Sequence, residues 1–295
     1  MNTKPLIVIL GSTASGKSDL ALRLARKFYG AIVSADSRQI YRGMNIGTAK
    51  PTLIERKKVP HYLIDIIKPD EEYSVSLYQK DARTVIQKLH NTGMAPFLVG
   101  GTGLYISAVT DGLEIPAVAP NPILRRQLET KTVKELADML KRKAPKTFSR
   151  IDANNPRRLI RALEIIEATG REIPSGGRKF APYLVMKLGV MMEREELYKR
   201  INARVLAMMK QGLVKETKNL LKKYPANLPA LSSIGYKEIG QYLKGEISLE
   251  RAVELIQQAT RNYAKRQISW FKRDRSIHWV KTAGQAEKLI TRFLK

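Results

Sequence analysis

An α/β fold is what this sequence predicts: a parallel sheet flanked by helices, carrying an all-helical insertion domain. Three observations point there. The apolar run Leu6-Ile7-Val8-Ile9-Leu10 stops at a glycine-containing loop that opens a helical pattern. Two further short apolar runs, Ala31-Ile32-Val33-Ser34 and Pro96-Phe97-Leu98-Val99, lead to Asp36 and to Gly100-Gly101-Thr102-Gly103. A proline-rich break is followed by helical periodicity before a strand pattern returns at Tyr183-Leu184-Val185-Met186-Lys187-Leu188-Gly189-Val190.

The first run is continuously apolar and rich in β-branched residues, as a strand buried on both faces requires. The loop after it, Gly11-Ser12-Thr13-Ala14-Ser15-Gly16-Lys17-Ser18, matches the P-loop pattern G-x-x-x-x-G-K-[ST] at every fixed position. Leu20, Leu24, Ala25 and Phe28 then fall on one helical face. Strand before and helix after is the context that makes the motif a phosphate site. Its glycines let backbone N–H groups turn onto phosphate oxygens, and the helix N-terminus adds a positive dipole. Lys17 supplies a point charge, and the Ser18 hydroxyl can ligate Mg²⁺. The fold is therefore expected to be P-loop NTPase-like. In doubly wound sheets ligands lie beyond the carboxyl ends of the strands. Asp36 and Thr102 should share that edge with the P-loop, which makes Asp36 a candidate general base or metal partner. A capping role is its structural alternative. Asp65, after Tyr62-Leu63-Ile64, is a weaker candidate for an acidic strand end beside the P-loop. On these residues alone a P-loop kinase and a transferase with a phosphate leaving group are not separable.

Ile115-Pro116-Ala117-Val118-Ala119-Pro120-Asn121-Pro122 breaks regular structure, and Pro174-Ser175-Gly176-Gly177 closes the helical stretch after it. The expected organisation is a first core segment, 1–113, a helical insertion, 114–182, and a second core segment, 183–295. Near the C-terminus a helix is expected over about residues 250–272. Val253, Ala264, Ile268 and Phe271 fall within about 60° of one another on it, with Arg261, Lys265 and Lys272 at about 80° to 120°. An apolar stripe beside a basic one suits a helix packed on the core with phosphates alongside.

Composition narrows the function classes. The chain has 295 residues, 53 Lys+Arg against 27 Asp+Glu, and a formal charge of +26. The last 113 residues carry 23 basic and 10 acidic side chains, against 15 and 9 in the first 113. That excess predicts a polyanionic partner, nucleic acid foremost. The absence of cysteine excludes disulfides, thiol catalysis and thiolate zinc sites. Three dispersed histidines, His61, His90 and His278, argue against a His-based metal centre. No apolar run approaches the ~20 residues that span a bilayer. The N-terminus lacks a signal-peptide pattern, so a cytoplasmic protein with no membrane partner is expected.

A second motif is more specific than the P-loop. Residues 34–51, Ser34-Ala35-Asp36-Ser37-Arg38-Gln39-Ile40-Tyr41-Arg42-Gly43-Met44-Asn45-Ile46-Gly47-Thr48-Ala49-Lys50-Pro51, together with the loop at 11–18, closely resemble the bacterial tRNA dimethylallyltransferases, or tRNA isopentenyltransferases. Further matches are Pro60-His61-Tyr62-Leu63-Ile64-Asp65, Val99-Gly100-Gly101-Thr102-Gly103-Leu104-Tyr105 and the stretch from Asn155 to Glu164. Ser233-Ile234-Gly235-Tyr236-Lys237-Glu238 and Ala264-Lys265-Arg266-Gln267-Ile268-Ser269-Trp270-Phe271 complete the series. The matches keep family order over nearly the whole chain. Ser12, where the family often has Pro, and Ser18, in place of an equally competent Thr, are mild departures.

The resemblance implies transfer of a dimethylallyl group from dimethylallyl diphosphate to N6 of adenine 37, just 3′ of the anticodon, in tRNAs that read codons beginning with U. The P-loop would then hold the leaving diphosphate rather than ATP, with Mg²⁺ on Ser18. Asp36 matches the residue thought to take the amine proton, and Thr13 one that hydrogen-bonds the diphosphate near its breaking bond. Lys17 would neutralise charge. A diphosphate-clamping arginine falls within Lys199-Arg200-Ile201-Asn202-Ala203-Arg204, where Arg204 is favoured. Contacts to tRNA are expected from Asp36, Ser37, Arg38, Gln39, Thr102, Lys237, Lys265, Arg266, Gln267, Trp270 and Lys272. In the insertion they are expected from Arg125, Arg157, Arg158, Leu159, Ile160 and Arg161. The insertion would grip the anticodon stem-loop, and the enzyme is expected to be a monomer. A nucleoside or nucleotide kinase and a non-catalytic RNA-binding protein with a P-loop switch are the competing classes.

Overall fold

The continuously apolar first strand buries both of its faces, one against each of two helical layers, and the sheet grows from it. The computed structural model describes residues 4–116, 118–174 and 183–295. In chain order the first core segment holds β1 (Lys4–Leu10), α1 (Lys17–Lys27), β2 (Gly30–Ala35), α2 (Leu53–Lys58), β3 (His61–Tyr62), α3 (Val75–Asn91), β4 (Ala95–Gly100) and α4 (Gly103–Thr110). Four helices follow: α5 (Pro122–Glu129), α6 (Val133–Lys143), α7 (Pro145–Phe148) and α8 (Pro156–Thr169). The chain then returns through β5 (Tyr183–Val190), α9 (Arg194–Gln211), α10 (Leu213–Leu221), α11 (Tyr236–Leu243), α12 (Leu249–Phe271), β6 (Ile277–Val280) and α13 (Ala283–Phe293).

The strands form one six-stranded sheet in the order β3-β2-β4-β1-β5-β6, with every pairing parallel. Leu6, Val8 and Leu10 pack with Tyr78, Ile86 and Val109 of α3 and α4 on one face. Ile7 and Ile9 pack with Leu24 of α1 and Ile290 of α13 on the other. Burying each such aliphatic side chain contributes about 2 kcal/mol. A third core, around Met44, Val205, Tyr236, Ile239 and Ile256, fastens residues 40–46 to α9–α12.

The edge strands β3 and β6 carry no continuous apolar run: β3 has two residues, and β6 alternates buried Ile277 with exposed His278. The order also separates β3 from β1 by two strands, so Asp65 is no acidic strand end beside the P-loop. Instead Asp65 holds Lys50 at 2.5 Å and Arg56 at 2.8 Å.

The chain divides into two compact units, one of Met1–Thr110 with Pro182–Lys295 and one of Asp111–Ala181. The second unit is helical where described, with Leu128, Leu136, Leu140, Leu159 and Leu163 at its centre. Its helices start where capping chemistry allows: Asn121, Thr132 and Asn155 each accept backbone N–H bonds through their side chains. Ala117 of the proline-rich opening and Ser175-Gly176-Gly177 at the close lie outside the described residues. Among the described residues no helix is long and apolar enough to cross a membrane.

Candidate active site

The P-loop wraps from β1 into α1, whose N-cap Gly16 takes the left-handed conformation at φ 87°. Lys17 folds back to donate a hydrogen bond to the Ser12 carbonyl at 3.2 Å. Burial pulls its ammonium down to about 8, against the pull of Asp36, while Arg204 lowers it further. Asp36, Lys17 and Arg204 thus share one electrostatic neighbourhood.

Asp36 leaves the carboxyl end of β2 into a turn. Its Oδ1 accepts the N–H of Arg38 at 2.8 Å and of Gln39 at 3.4 Å. No helix follows, so the carboxylate caps a local turn, and Oδ2 accepts no hydrogen bond among the described residues. Thr102 stands beside it, its hydroxyl accepting the Ser37 N–H at 3.1 Å. Arg38 reaches the Pro229 carbonyl at 2.9 Å.

Two cavities meet at this point. One, of about 220 Å³, is lined by Lys17, Ser18 and Gln39. The other, of about 330 Å³, has an apolar wall of Ile201, Val205, Met208, Ile234 and Ile256. Thr13, Asp36, Thr48, Ala49, Arg204 and Tyr263 line both. The junction between the P-loop end and the apolar end is therefore marked by Thr13, Asp36 and Arg204. Of the two arginines in the 199–204 stretch, Arg204 lines the cavities, whereas Arg200 pairs with Glu196 at 2.9 Å.

Two site features have no counterpart among the sequence expectations. Tyr263 lines both cavities, and burial, with the nearby Asp36 charge, pushes its phenol upward. Its guanidinium neighbour Arg266 sits 5.7 Å from the ring centroid. Position 263 is one helical turn before Gln267, and that spacing is the signal that could have found it. Glu216, on α10, accepts the N–H groups of Asn45, Ile46 and Gly47 at 3.0 to 3.2 Å and the Tyr236 hydroxyl at 2.7 Å. It holds the loop that carries Thr48 and Ala49 into the cavities. A single carboxylate in a distant helix leaves no local pattern that would reveal this.

Three residues expected at RNA are buried instead. Leu159 and Ile160 are 0% and 9% exposed, in the core of the helical unit, because positions 159, 163 and 166 form its inward stripe. Gln267 is 6% exposed. Its Oε1 accepts the Thr13 N–H at 2.8 Å, and its Nε2 donates to the Gly101 carbonyl at 2.9 Å. Arg125 and Arg161 are engaged within the helical unit. Arg125 grips both oxygens of Glu164 at 2.7 and 2.9 Å, and Arg161 bonds Glu164 and the Val118 carbonyl. Burial raises the Glu164 carboxyl, but Arg125 and the Asn121 N–H outweigh it and hold it below the usual range. Arg157 and Arg158 stay exposed, as do Lys237, Lys265, Arg266, Trp270 and Lys272.

The Ser18 hydroxyl lines the phosphate-side cavity at the start of α1 and makes no hydrogen bond among the described residues. No cluster of three His, Cys, Asp or Glu suited to a metal occurs among them. One protein hydroxyl beside a diphosphate suits Mg²⁺, which keeps waters and takes oxygens from its substrate.

Fold and cleft define a P-loop α/β protein whose P-loop cavity adjoins an apolar-walled pocket. The chain belongs to the IPP transferase family, which it matches over residues 39–274. It is 43% identical to the tRNA dimethylallyltransferase of Thermomicrobium roseum, over 98% of this chain and 90% of that one. Its identity to the Synechocystis tRNA dimethylallyltransferase is 48%, covering 93% and 90%. The crystal structure of the tRNA isopentenylpyrophosphate transferase from Bacillus halodurans superposes with a TM-score of 0.74 at 38% identity, covering 99% and 96%. A eukaryotic dimethylallyltransferase acting on tRNA superposes at 0.83 with 27% identity, covering 95% and 74%.

Proposed function

We propose that this chain transfers the dimethylallyl group of dimethylallyl diphosphate to N6 of adenine 37 in tRNAs that read codons beginning with U, releasing diphosphate. The observation that carries the mechanism is that Thr13, Asp36 and Arg204 line both the phosphate-side and the apolar-walled cavity. A donor with its diphosphate against Lys17 and the P-loop amides has its reacting carbon at that junction. The target adenine, extruded from the anticodon loop, meets it there.

The N6 lone pair forms a bond to C1 of the allyl group. The C1–O bond breaks, and its electron pair leaves with the diphosphate. The N6 proton passes to Oδ2 of Asp36, whose other oxygen is anchored by the Arg38 and Gln39 N–H groups. Thr13 hydrogen-bonds the oxygen at the breaking bond, and Lys17 and Arg204 neutralise the leaving group. Mg²⁺, held through Ser18, would spread the negative charge that grows on the diphosphate. An exocyclic adenine amine is a poor nucleophile, so a fixed carboxylate both aims it and removes its proton. The basic surfaces of α12 and the exposed Arg157 and Arg158 would bind tRNA phosphates, with the helical unit gripping the anticodon stem-loop. The protein would act as a cytoplasmic monomer.

Asp36→Asn tests the assignment, since it keeps the turn hydrogen bond and removes the base. Turnover should fall about 10²- to 10⁴-fold, with donor and RNA dissociation constants within about twofold of the parent. Unchanged turnover would remove Asp36 as the base.

A further inference from the structure

The amide of Gln267 joins the P-loop to α12 at the residue that flanks the reacting centre. Its Oε1 accepts the Thr13 N–H at 2.8 Å, and its Nε2 donates to the Gly101 carbonyl at 2.9 Å. Thr13 and Gln267 are 254 positions apart in sequence, so no local turn could make this bond. Both directions of the amide are used, and the side chain is 6% exposed. The approach is close enough to demand glycine on the other side: a Cβ at Gly101 would lie 2.2 Å from Nε2. One turn later, a Cβ at Gly103 would lie 2.3 Å from the Trp270 ring. Ala14, the next P-loop residue, packs with Ala264 of the same helix in a small buried cluster.

In a phosphate-binding loop, backbone N–H groups ordinarily face the anion. Here the Thr13 N–H is taken by the Gln267 amide oxygen, which fixes that peptide and so the backbone from which the Thr13 side chain lines the two cavities. We infer that Gln267 is a positioning residue for Thr13: it orients the Thr13 hydroxyl toward the breaking bond of the donor and takes no part in binding RNA. A second consequence follows from the same geometry. The residues of α12 that face outward, Lys265, Arg266 and Trp270, share a rigid helix with the amide that holds the P-loop.

The inference rests on the role given above to Thr13, and a double-mutant cycle separates the two. Gln267→Met keeps the side-chain length and removes both hydrogen bonds. In the parent background it should lower single-turnover rate about tenfold to a hundredfold, as a misplaced catalytic group does, with RNA affinity within about twofold. In a Thr13→Ala background the same change should cost less than about twofold. An undiminished loss there, or a loss that appears in RNA affinity, overturns the inference while leaving Thr13 in place. A Thr13→Ala enzyme with parental rate overturns the role of Thr13 and the inference with it. Amide hydrogen exchange of the unmutated protein gives a reading that no folding defect can obscure: the Thr13 N–H should be protected, and rapid exchange would overturn the bond itself.

Discussion

Glu164 in the helical unit and Glu216 in the core are both carboxylates that gather donors from distant segments, yet they do different work. Glu164 is almost fully enclosed and takes two guanidiniums and the Asn121 N–H, so it locks α5 to α8 within its own unit. Glu216 takes three consecutive backbone N–H groups and a phenol, so it shapes a loop that lines both cavities. A charge in the helical unit is thus largely structural unless it projects from the surface, whereas a charge in the core can reach chemistry through the backbone it holds. The arginines show the same division. Arg125 and Arg161 are neutralised internally, whereas Arg157 and Arg158 stay exposed, Arg158 at 3.8 Å from the Asp152 carboxylate.

Removal of Glu164 should have the largest effect. Glu164→Ala leaves two guanidiniums and an N–H without their acceptor, and should destabilise the helical unit by about 3 kcal/mol in chemical denaturation. A change below about 1 kcal/mol would mean the arginines find other partners, and with them a freer surface for RNA. Glu216→Ala should act on turnover more than on stability. A loosened loop at 45–49 should lower kcat/KM about tenfold, with Glu216→Gln recovering most of it because the amide oxygen still accepts. Equal losses in both variants would assign Glu216 to charge rather than to loop shape.

Lys17 should make turnover depend on pH. In the role proposed for it Lys17 neutralises phosphate only when protonated, and burial pulls its ammonium down to about 8. Between pH 8 and 9 its charged fraction falls, so kcat/KM for the donor should decline toward a tenfold drop per unit. A flat profile to pH 10 would contradict that reading of Lys17. The smallest effect belongs to the exposed pair in the helical unit. Arg157→Ala and Arg158→Ala should each weaken tRNA binding a few-fold and reduce the slope of log affinity against log salt by about 1. Neither should alter thermal stability measurably. The same test on Arg125 should do the reverse.

The legible parts of this protein are those where one physical requirement dictates several neighbouring residues. A parallel strand buried on both faces must be an apolar run, and β1, β2 and β4 can be read that way; β5 reads as a strand from its mostly apolar run although only its second half is buried, and β3 and β6, short and at the edges, leave no such run. The phosphate loop was visible because glycine, lysine and a hydroxyl must sit at fixed spacing. The site's remaining shape depends on partners far apart in sequence, such as Gln267 with Thr13 and Glu216 with Gly47, which leave no spacing to detect. Leu159, Ile160 and Gln267 mark a different shortfall. The motif they belong to suggests an RNA surface, whereas helical phase puts them inside: 159, 163 and 166 form one stripe, and Gln267 lies between Ala264 and Phe271 on another.

Transfer of a prenyl group across the junction marked by Thr13 and Asp36 to an adenine amine is open to direct measurement. It is tested most directly by incubating the protein with Mg²⁺, labelled dimethylallyl diphosphate and an anticodon stem-loop carrying three consecutive adenosines, beside a matched RNA with the target adenosine changed to guanosine. Label should enter the first RNA alone, without ATP. ATP turnover with no label transferred would contradict it and make the protein a kinase.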